Sequence, residues 1–289
     1  MNAVLVITAA TPLAVADIKA ALDELTQRGF TAGAPRHLGA QAAEIPFHDI
    51  GAAKARPVAD WLPELEIDLN IVPAANRKKR MLIADMDSTI IPVECIDELA
   101  DYAGVKAQVA EITERAMQGE LDFEAAIHAR VGLLRNLPET ALAQCYAERV
   151  SLNPGARLLI ETMNAQGAMT ALVSGGFTYF TSRVAAAAGF QMNRANTLLA
   201  KDGVLTGAVG LPILGRQAKL DALNELCAQG RFTASDVIAV GDGANDLSMI
   251  NAAGLGVAFH AKPALMAEAD AVLNHSDLTA LLALQGIAV

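Results

Sequence analysis

Met81-Leu82-Ile83-Ala84-Asp85-Met86-Asp87-Ser88-Thr89 is the stretch that decides the fold. Its four leading apolar residues do not alternate with polar ones. They read as a short strand buried on both faces, the kind found in parallel sheets covered by helices. Ala168–Val173, Asp236–Val240 and Gly256–Ala258 repeat the pattern at intervals long enough to hold helices. The alternation predicts an α/β fold built on a parallel sheet. Three of these strands stop at polar or glycine-rich segments: Asp85–Thr89, Ser174-Gly175-Gly176, and Gly241-Asp242-Gly243-Ala244-Asn245-Asp246. Ligands of open α/β sheets bind beyond the carboxyl ends of the strands, so the three segments can share one site.

Between the first and second strands lies a helical stretch, about Glu94–Arg149, too long for a simple crossover. It predicts an inserted lid. Within it Phe123, Ile127, Val131 and Leu134 share one helix face. Arg130 lies seven residues, two turns, after Phe123 and joins that face. A guanidinium there needs an anion or a route to water, so snorkelling, a structural ion pair and a bound carboxylate all stay open. Upstream, residues 1–75 read as a small α+β unit in βαββαβ order. Its strands are expected at Val4–Thr8, Phe30–His37, Glu44–Ile50 and Glu66–Val72, and its helices at Leu13–Arg28 and Ala52–Leu62. Ile18, Ala21, Leu22 and Leu25 recur at helical spacing before Gly29 closes the first helix. Pro73–Asn76 and the basic run Arg77–Arg80 read as a solvated linker.

A length of 289 residues suggests two domains at roughly 100–200 residues each. The net charge of -10 and the lack of any other basic block exclude a nucleic-acid partner, which needs clustered cations. With 53% hydrophobic but just 4% aromatic residues, the core must be aliphatic. Cys95, Cys145 and Cys227 are scattered and form no CxxC pair, so neither a disulfide framework nor a zinc site is indicated and a cytoplasmic location is expected. The first sixteen residues are apolar but carry no Lys or Arg, which favours a first strand over a signal peptide. No run reaches the ~18 apolar residues of a membrane span, so a soluble protein is expected.

Two carboxylates as near in sequence as Asp85 and Asp87 repel when both are ionised and call for a cation or a shared proton. Oxygen ligands select a hard ion such as Mg²⁺, with Mn²⁺ also compatible. Taken alone, the pair is equally an Asx turn that caps a helix. Ser174-Gly175-Gly176 lets backbone N–H groups approach a phosphate at a strand-to-helix turn, yet is also common in ordinary turns. Lys219 sits on a helix whose Leu220 and Leu223 look inward, and a lone helical lysine is ordinarily solvated. The acids of Gly241–Asp246 change the balance. So many carboxylates at one sheet edge cost stability unless a cation holds them, so a metal site becomes the better reading.

In this order, and over about Met81–Val289, the chain resembles the haloacid dehalogenase-like phosphatases. The resemblance rests on Asp85–Thr89, Glu94, Phe123 with Arg130, Ser174–Phe177, Lys201-Asp202-Gly203 and Gly241–Asp246. It implies a Rossmann-like parallel sheet over residues 76–289, with a helical cap at about 94–150. It also implies Asp85 as a nucleophile forming a phosphoaspartyl group, and Asp87 as the acid and then the base. Mg²⁺ would be held by Asp85, the Asp87 main-chain carbonyl and Asp242. Ser174, Gly175 and Lys219 would clamp the phosphoryl group, with Asp246 orienting Lys219. Glu94, Arg130 and Asn245 would contact a substrate carrying an ammonium and a carboxylate, with Phe123 closing over it. Phosphoserine is the substrate so implied, hydrolysed in the last step of serine formation. The βαββαβ unit of residues 1–75 looks like an ACT-type domain, for which pairing of two copies into a homodimer and binding of an effector are both open. Rival readings are a phosphatase for another small phosphomonoester, and a non-enzymatic phospho-receiver.

Overall fold

The computed structural model describes residues 1–49, 54–117 and 120–288. The first unit is a five-stranded antiparallel sheet backed by one helix. Its strands are β1 (Ala3–Thr8), β2 (Arg36–His37), β3 (Ala42–Phe47), β4 (Arg56–Pro57) and β5 (Asp68–Pro73), in the order β2-β3-β1-β5-β4. Helix α1 (Val15–Gln27) buries Ile18, Ala21 and Leu25 on this sheet, the stripe its periodicity predicts. The second helix expected over Ala52–Leu62 is not formed among the described residues. Ala52 and Ala53 lie outside them, and the rest holds β4 and a single 3₁₀ turn at Ala59–Trp61. Pro57 and Pro63 explain this. Proline removes an N–H donor and disfavours helix in the residue before it, so the five residues between the two have room for little more than one turn. The strand expected to reach Ile50 is described as far as Phe47.

The chain then enters a six-stranded sheet at β6 (Met81–Ala84). The insert follows with α2 (Cys95–Tyr102), α3 (Lys106–Met117), α4 (Phe123–Leu133) and α5 (Thr140–Arg149). Ile96, Leu99, Val109, Ile127, Val131, Leu142 and Cys145 are buried among them and belong to the same continuous core as one face of the sheet. After α6 (Ala156–Ala165) come β7 (Met169–Phe177), α7 (Thr178–Ala188) and β8 (Met192–Asn196). A hairpin of β9 (Leu198–Lys201) and β10 (Val204–Val209) then reaches back onto the insert, where the Asn136 N–H donates to the Leu205 carbonyl at 2.9 Å. Helix α8 (Arg216–Gly230), β11 (Val237–Gly241), α9 (Leu247–Ala252), β12 (Leu255–Phe259) and β13 (Ala271–Leu273) complete the order β13-β12-β11-β6-β7-β8, parallel throughout.

Strand β6 shows why the apolar run does not alternate. Leu82 and Ala84 face one core with the insert side, Met81 and Ile83 face the other with Leu223 and Leu226 of α8, and all four have no exposed surface. Fully burying a side chain such as Leu82 or Ile83 contributes about 1.5–3 kcal/mol, so both faces hold this strand in place. The chain moves outward on one side of β6 through β7 and β8, then returns to the other side at β11. The strand order therefore reverses between β6 and β11, the crevice where such sheets bind ligands.

The basic run is not a solvated linker throughout. Arg77 ion-pairs with Glu44 of β3 at 2.7 Å and donates to the Ala283 and Leu284 carbonyls. Lys79 Nζ donates to the Ser235 carbonyl, and Arg80 lies over the Phe232 ring. The first unit is further fixed by Asp68, whose carboxylate accepts from the Asn274 and His275 N–H groups and the Ser276 hydroxyl. The Asn70 side chain exchanges both its amide hydrogen bonds with Val272 on the edge strand β13, so it stands in for a neighbouring strand.

Candidate active site

Asp85 caps β6, and its Oδ1 accepts from the Met86 N–H at 2.7 Å. The next residues form a tight loop, closed by the Ile91 N–H donating to the Met86 carbonyl at 3.1 Å. In it Ser88 adopts φ 54°, ψ 6°. Asp87 is thereby turned to the same side as Asp85. Its Oδ1 accepts from the Cys95 N–H at 3.0 Å and its Oδ2 from the Ser174 hydroxyl at 3.3 Å.

Ser174 and the two glycines after it do not form a strand-to-helix turn. Strand β7 continues through them to Phe177 with an irregularity in its pairing between Val173 and Phe177. The bulged strand end turns the Ser174 hydroxyl toward Asp87, where it also accepts from the Gly176 N–H at 2.8 Å. A Cβ on Gly176 would stand 2.5 Å from Asp87 Oδ2, so no other residue fits beside the carboxylate. The sequence reading missed Gly176, although the doubled glycine was its signal. A Cβ on Gly175 would lie 3.1 Å from Phe123 Cζ, so Phe123 reaches from the insert across this backbone.

Lys219 is nearly fully buried. Its Nζ lies 2.8 Å from Asp85 Oδ1 and 2.6 Å from Asp246 Oδ1. Burial works against this ammonium, but Asp246 and Asp85 outweigh it and hold its pKa above the ordinary lysine range. Asp246 also accepts from the Asp242 and Gly243 N–H groups, and its carboxyl tucks under Gly241, where a Cβ would come within 2.4 Å. Asn245 Nδ2 donates to Asp85 Oδ2 at 3.2 Å. The third segment thus folds around Lys219 and Asp85.

Four carboxylates, those of Asp85, Asp87, Asp242 and Asp246, are buried here, and among the described residues Lys219 is the buried ammonium that faces them. Burial, then the charges of Glu94 and Asp85, pushes Asp87 up to about 8. Burial, then Asp85 and Asp246, pushes Asp242 up to about 7, and burial with Asp85 raises Asp246 to about 6 against the pull of Lys219. Oxygens of Asp85, Asp242 and Asp246 lie within 4.8 Å of one another. Both Asp246 oxygens are committed to Lys219 and backbone N–H groups, whereas no described residue donates to the Asp242 carboxylate. A buried carboxylate without a donor, beside a second one, fits a hard divalent cation.

These raised pKa values fix a sign. In the metal-free chain the native state holds protons on acids that the unfolded chain has released, so between about pH 4 and 8 stability falls as pH rises. The expected result is a melting temperature that drops from about pH 5.5 to 8.5 without metal, and a Mg²⁺-induced increase that is larger at the upper pH. Thermal melts with chelator and with Mg²⁺ measure both. A metal-induced increase that shrinks with pH would contradict the assignment.

Glu94 begins α2 and accepts from the Ser88 hydroxyl through Oε1 at 2.8 Å. Arg130 is half-buried on α4. Its Nε donates to the Ala126 carbonyl at 3.3 Å, and burial lowers its pKa against the nearby charges of Asp97, Glu94 and Asp87. No ion pair to Arg130 is formed among the described residues. Asp85, Asp87, Ser174, Lys219, Asp242, Asn245 and Asp246 thus cluster at the β6/β11 reversal, with Glu94 tied to the same loop through Ser88 and Arg130 in electrostatic reach.

The model of the haloacid dehalogenase-like hydrolases matches residues 82–251, more than half of the chain. The chain belongs to the haloacid dehalogenase-like hydrolase family. It is 47% identical over 204 residues to a phosphoserine phosphatase of Haemophilus influenzae, an alignment covering 71% of this chain. The chain spans 65% of that relative's length, just under two thirds. The unliganded crystal structure of a probable phosphoserine phosphatase from Vibrio cholerae matches with a TM-score of 0.81 at 34% identity, covering 99% of this chain and 87% of that one. A substrate-bound phosphoserine phosphatase complex matches with a TM-score of 0.67 at 38% identity, covering 71% of this chain and 97% of that one. This hydrolase has no helix, among the described residues, long and apolar enough to cross a membrane.

Proposed function

We propose that this chain hydrolyses O-phospho-L-serine to L-serine and phosphate through a phosphoaspartyl group on Asp85. The observation that carries the reading is the cluster of Asp85, Asp87, Ser174 and Lys219, with Arg130, which has no ion pair among the described residues, in the electrostatic reach of Glu94 and Asp87. The identity of the chain to phosphoserine phosphatases supports it.

The Ser174 hydroxyl, the Gly175 N–H and Lys219 hold the phosphoryl oxygens and place phosphorus in line with Asp85. A carboxylate oxygen of Asp85 bonds to phosphorus as the ester P–O bond breaks. Asp87, whose pKa burial and the charges of Glu94 and Asp85 raise, gives its proton to the departing serine oxygen. Now a carboxylate, Asp87 takes a proton from the water that attacks phosphorus. The P–O bond to Asp85 breaks, and inorganic phosphate leaves. Asp85, the main-chain carbonyl of Asp87 and Asp242 would hold Mg²⁺, which would supply positive charge to the phosphoryl oxygens. Asn245 positions Asp85, Asp246 positions Lys219, and Phe123 shields the cradle from water.

At the outer end, Arg130 takes the substrate carboxylate and Glu94 its ammonium. Residues 1–75 form one unit and residues 76–289 the catalytic one, with hydrogen bonds between them from Asp68, Asn70 and Arg77. Phosphate release from L-phosphoserine and from phosphoethanolamine, which lacks the carboxylate, tests the reading. Arg130→Ala is expected to lose about 100-fold in kcat/KM on phosphoserine and at most about threefold on phosphoethanolamine. Equal losses on the two substrates would sink the amino-acid assignment.

A further inference from the structure

Ser88 is the one residue of the nucleophile loop with a left-handed backbone, at φ 54°, ψ 6°. Glycine or asparagine ordinarily takes such a position, because an L side chain with a Cβ is disfavoured there. A serine held in it by its surroundings points to a use for its side chain. That side chain has one partner, Oε1 of Glu94 at 2.8 Å.

The contact belongs to a three-part clasp. The Ser88 N–H donates to the Val93 carbonyl at 3.3 Å, the Ser88 hydroxyl donates to Glu94, and the Cys95 N–H donates to Asp87 Oδ1 at 3.0 Å. Residues 87–88 and 93–95 are thereby locked to each other. Glu94 is the middle member, and its second oxygen accepts from no described residue. Arg130, whose nearby charges include Glu94, likewise forms no ion pair among the described residues. Two opposite, partly buried charges in one pocket attract, and without restraint their direct pairing would close the space between them.

We infer that Ser88 is a positioning residue that tethers Glu94 to the nucleophile loop, keeping it apart from Arg130 so that a zwitterionic substrate head group fits between them. The inference rests on the phosphoserine reading above. The tether fixes the distance from the ammonium site to Asp87 and Asp85, so it selects for the length of the amino-acid phosphate as well as for its charge. Removing the hydroxyl frees Glu94 to swing onto Arg130, and the substrate must then compete with that pair.

The test compares wild type, Ser88→Ala, Ser88→Gly and Ser88→Thr on L-phosphoserine and on the phosphate ester of 3-hydroxypropanoate, which keeps the carboxylate and lacks the ammonium. Ser88→Ala and Ser88→Gly are expected to lose about tenfold in kcat/KM on phosphoserine, mainly through KM, and to stay within about twofold on the ester. Ser88→Thr keeps the hydroxyl and is expected to retain the preference. Ser88→Gly suits the left-handed backbone, so a glycine variant with wild-type preference would show that only the backbone matters and overturn the inference. Equal losses on both substrates would also overturn it, because the serine would then serve the nucleophile loop. A wild type that turns over both compounds equally well would remove the phosphoserine reading and this inference together, whereas a selective wild type with selective Ser88→Ala would remove this inference alone.

Discussion

Asp85→Asn is expected to lose phosphate release from phosphoserine by about 10⁴-fold or more while the protein stays folded. An amide oxygen does not form the acyl phosphate that the proposed route needs, so no other change in the pocket restores it. The fold has reason to tolerate the change. The side-chain oxygen can still accept from the Met86 N–H, and the variant loses one charge from a pocket in which four carboxylates face one ammonium. The lost contact with Lys219 is offset by relief of repulsion from Asp87, Asp242 and Asp246, all three raised in pKa partly or wholly by Asp85 and burial. A melt within a few degrees of wild type beside a dead enzyme is the expected pair of results. Residual turnover above about 1% in a folded variant would move the nucleophile elsewhere.

Legibility in the sequence followed how local the cause was. Met81–Ala84 and Val237–Val240 could be read directly, because a strand buried on both faces has nothing to alternate with. The α1 stripe and the helical insert were legible for another local reason, their burial being periodic along the chain. The second N-terminal helix was expected from the βαββαβ pattern, but Pro57 and Pro63, both visible, leave room for little more than one turn. The continuation of β7 through Ser174–Phe177 was hidden because paired glycines signal a turn in most settings, and only the neighbouring β8 and the Asp87 carboxylate explain why they are extended here. The β9–β10 hairpin was missed despite its signal. Asp202-Gly203 sits between two strand-like runs with both residues at positive φ, as a two-residue hairpin turn requires.

Other features had no local signal at all. Arg77 looks like any linker arginine until Glu44, Ala283 and Leu284 are brought around it from distant parts of the chain. Asp242 and Asp246 look alike in sequence, yet one is committed to Lys219 and backbone donors while the other is left without a donor. That division of labour is a product of the loop's path under Gly241 and cannot be counted from spacing.

Lys219 is the extreme case, and its replacement carries the second large effect. Nothing about its helix distinguishes it from a solvated lysine, yet it is buried between Asp85 and Asp246 in a cluster of four buried carboxylates. Breaking a buried pair by removing one partner costs about 3–5 kcal/mol, because the remaining charge is left uncompensated. Lys219→Met, which keeps most of the volume, is therefore expected to lower metal-free stability by that amount at pH 8, and to lower kcat by about 10³-fold through loss of charge on the phosphoryl oxygens. Urea melts and phosphate release measure the two separately. The stability deficit should shrink as pH falls through the raised pKa values of the acids, since protonation then removes the charges that Lys219 balances. Adding Asp246→Asn should recover part of the stability and none of the activity, because it relieves the uncompensated charge without replacing the cation at the phosphoryl group. A stability loss under about 1 kcal/mol for Lys219→Met would mean that the carboxylates already share protons in the native state, leaving Lys219 a role toward the phosphoryl group alone.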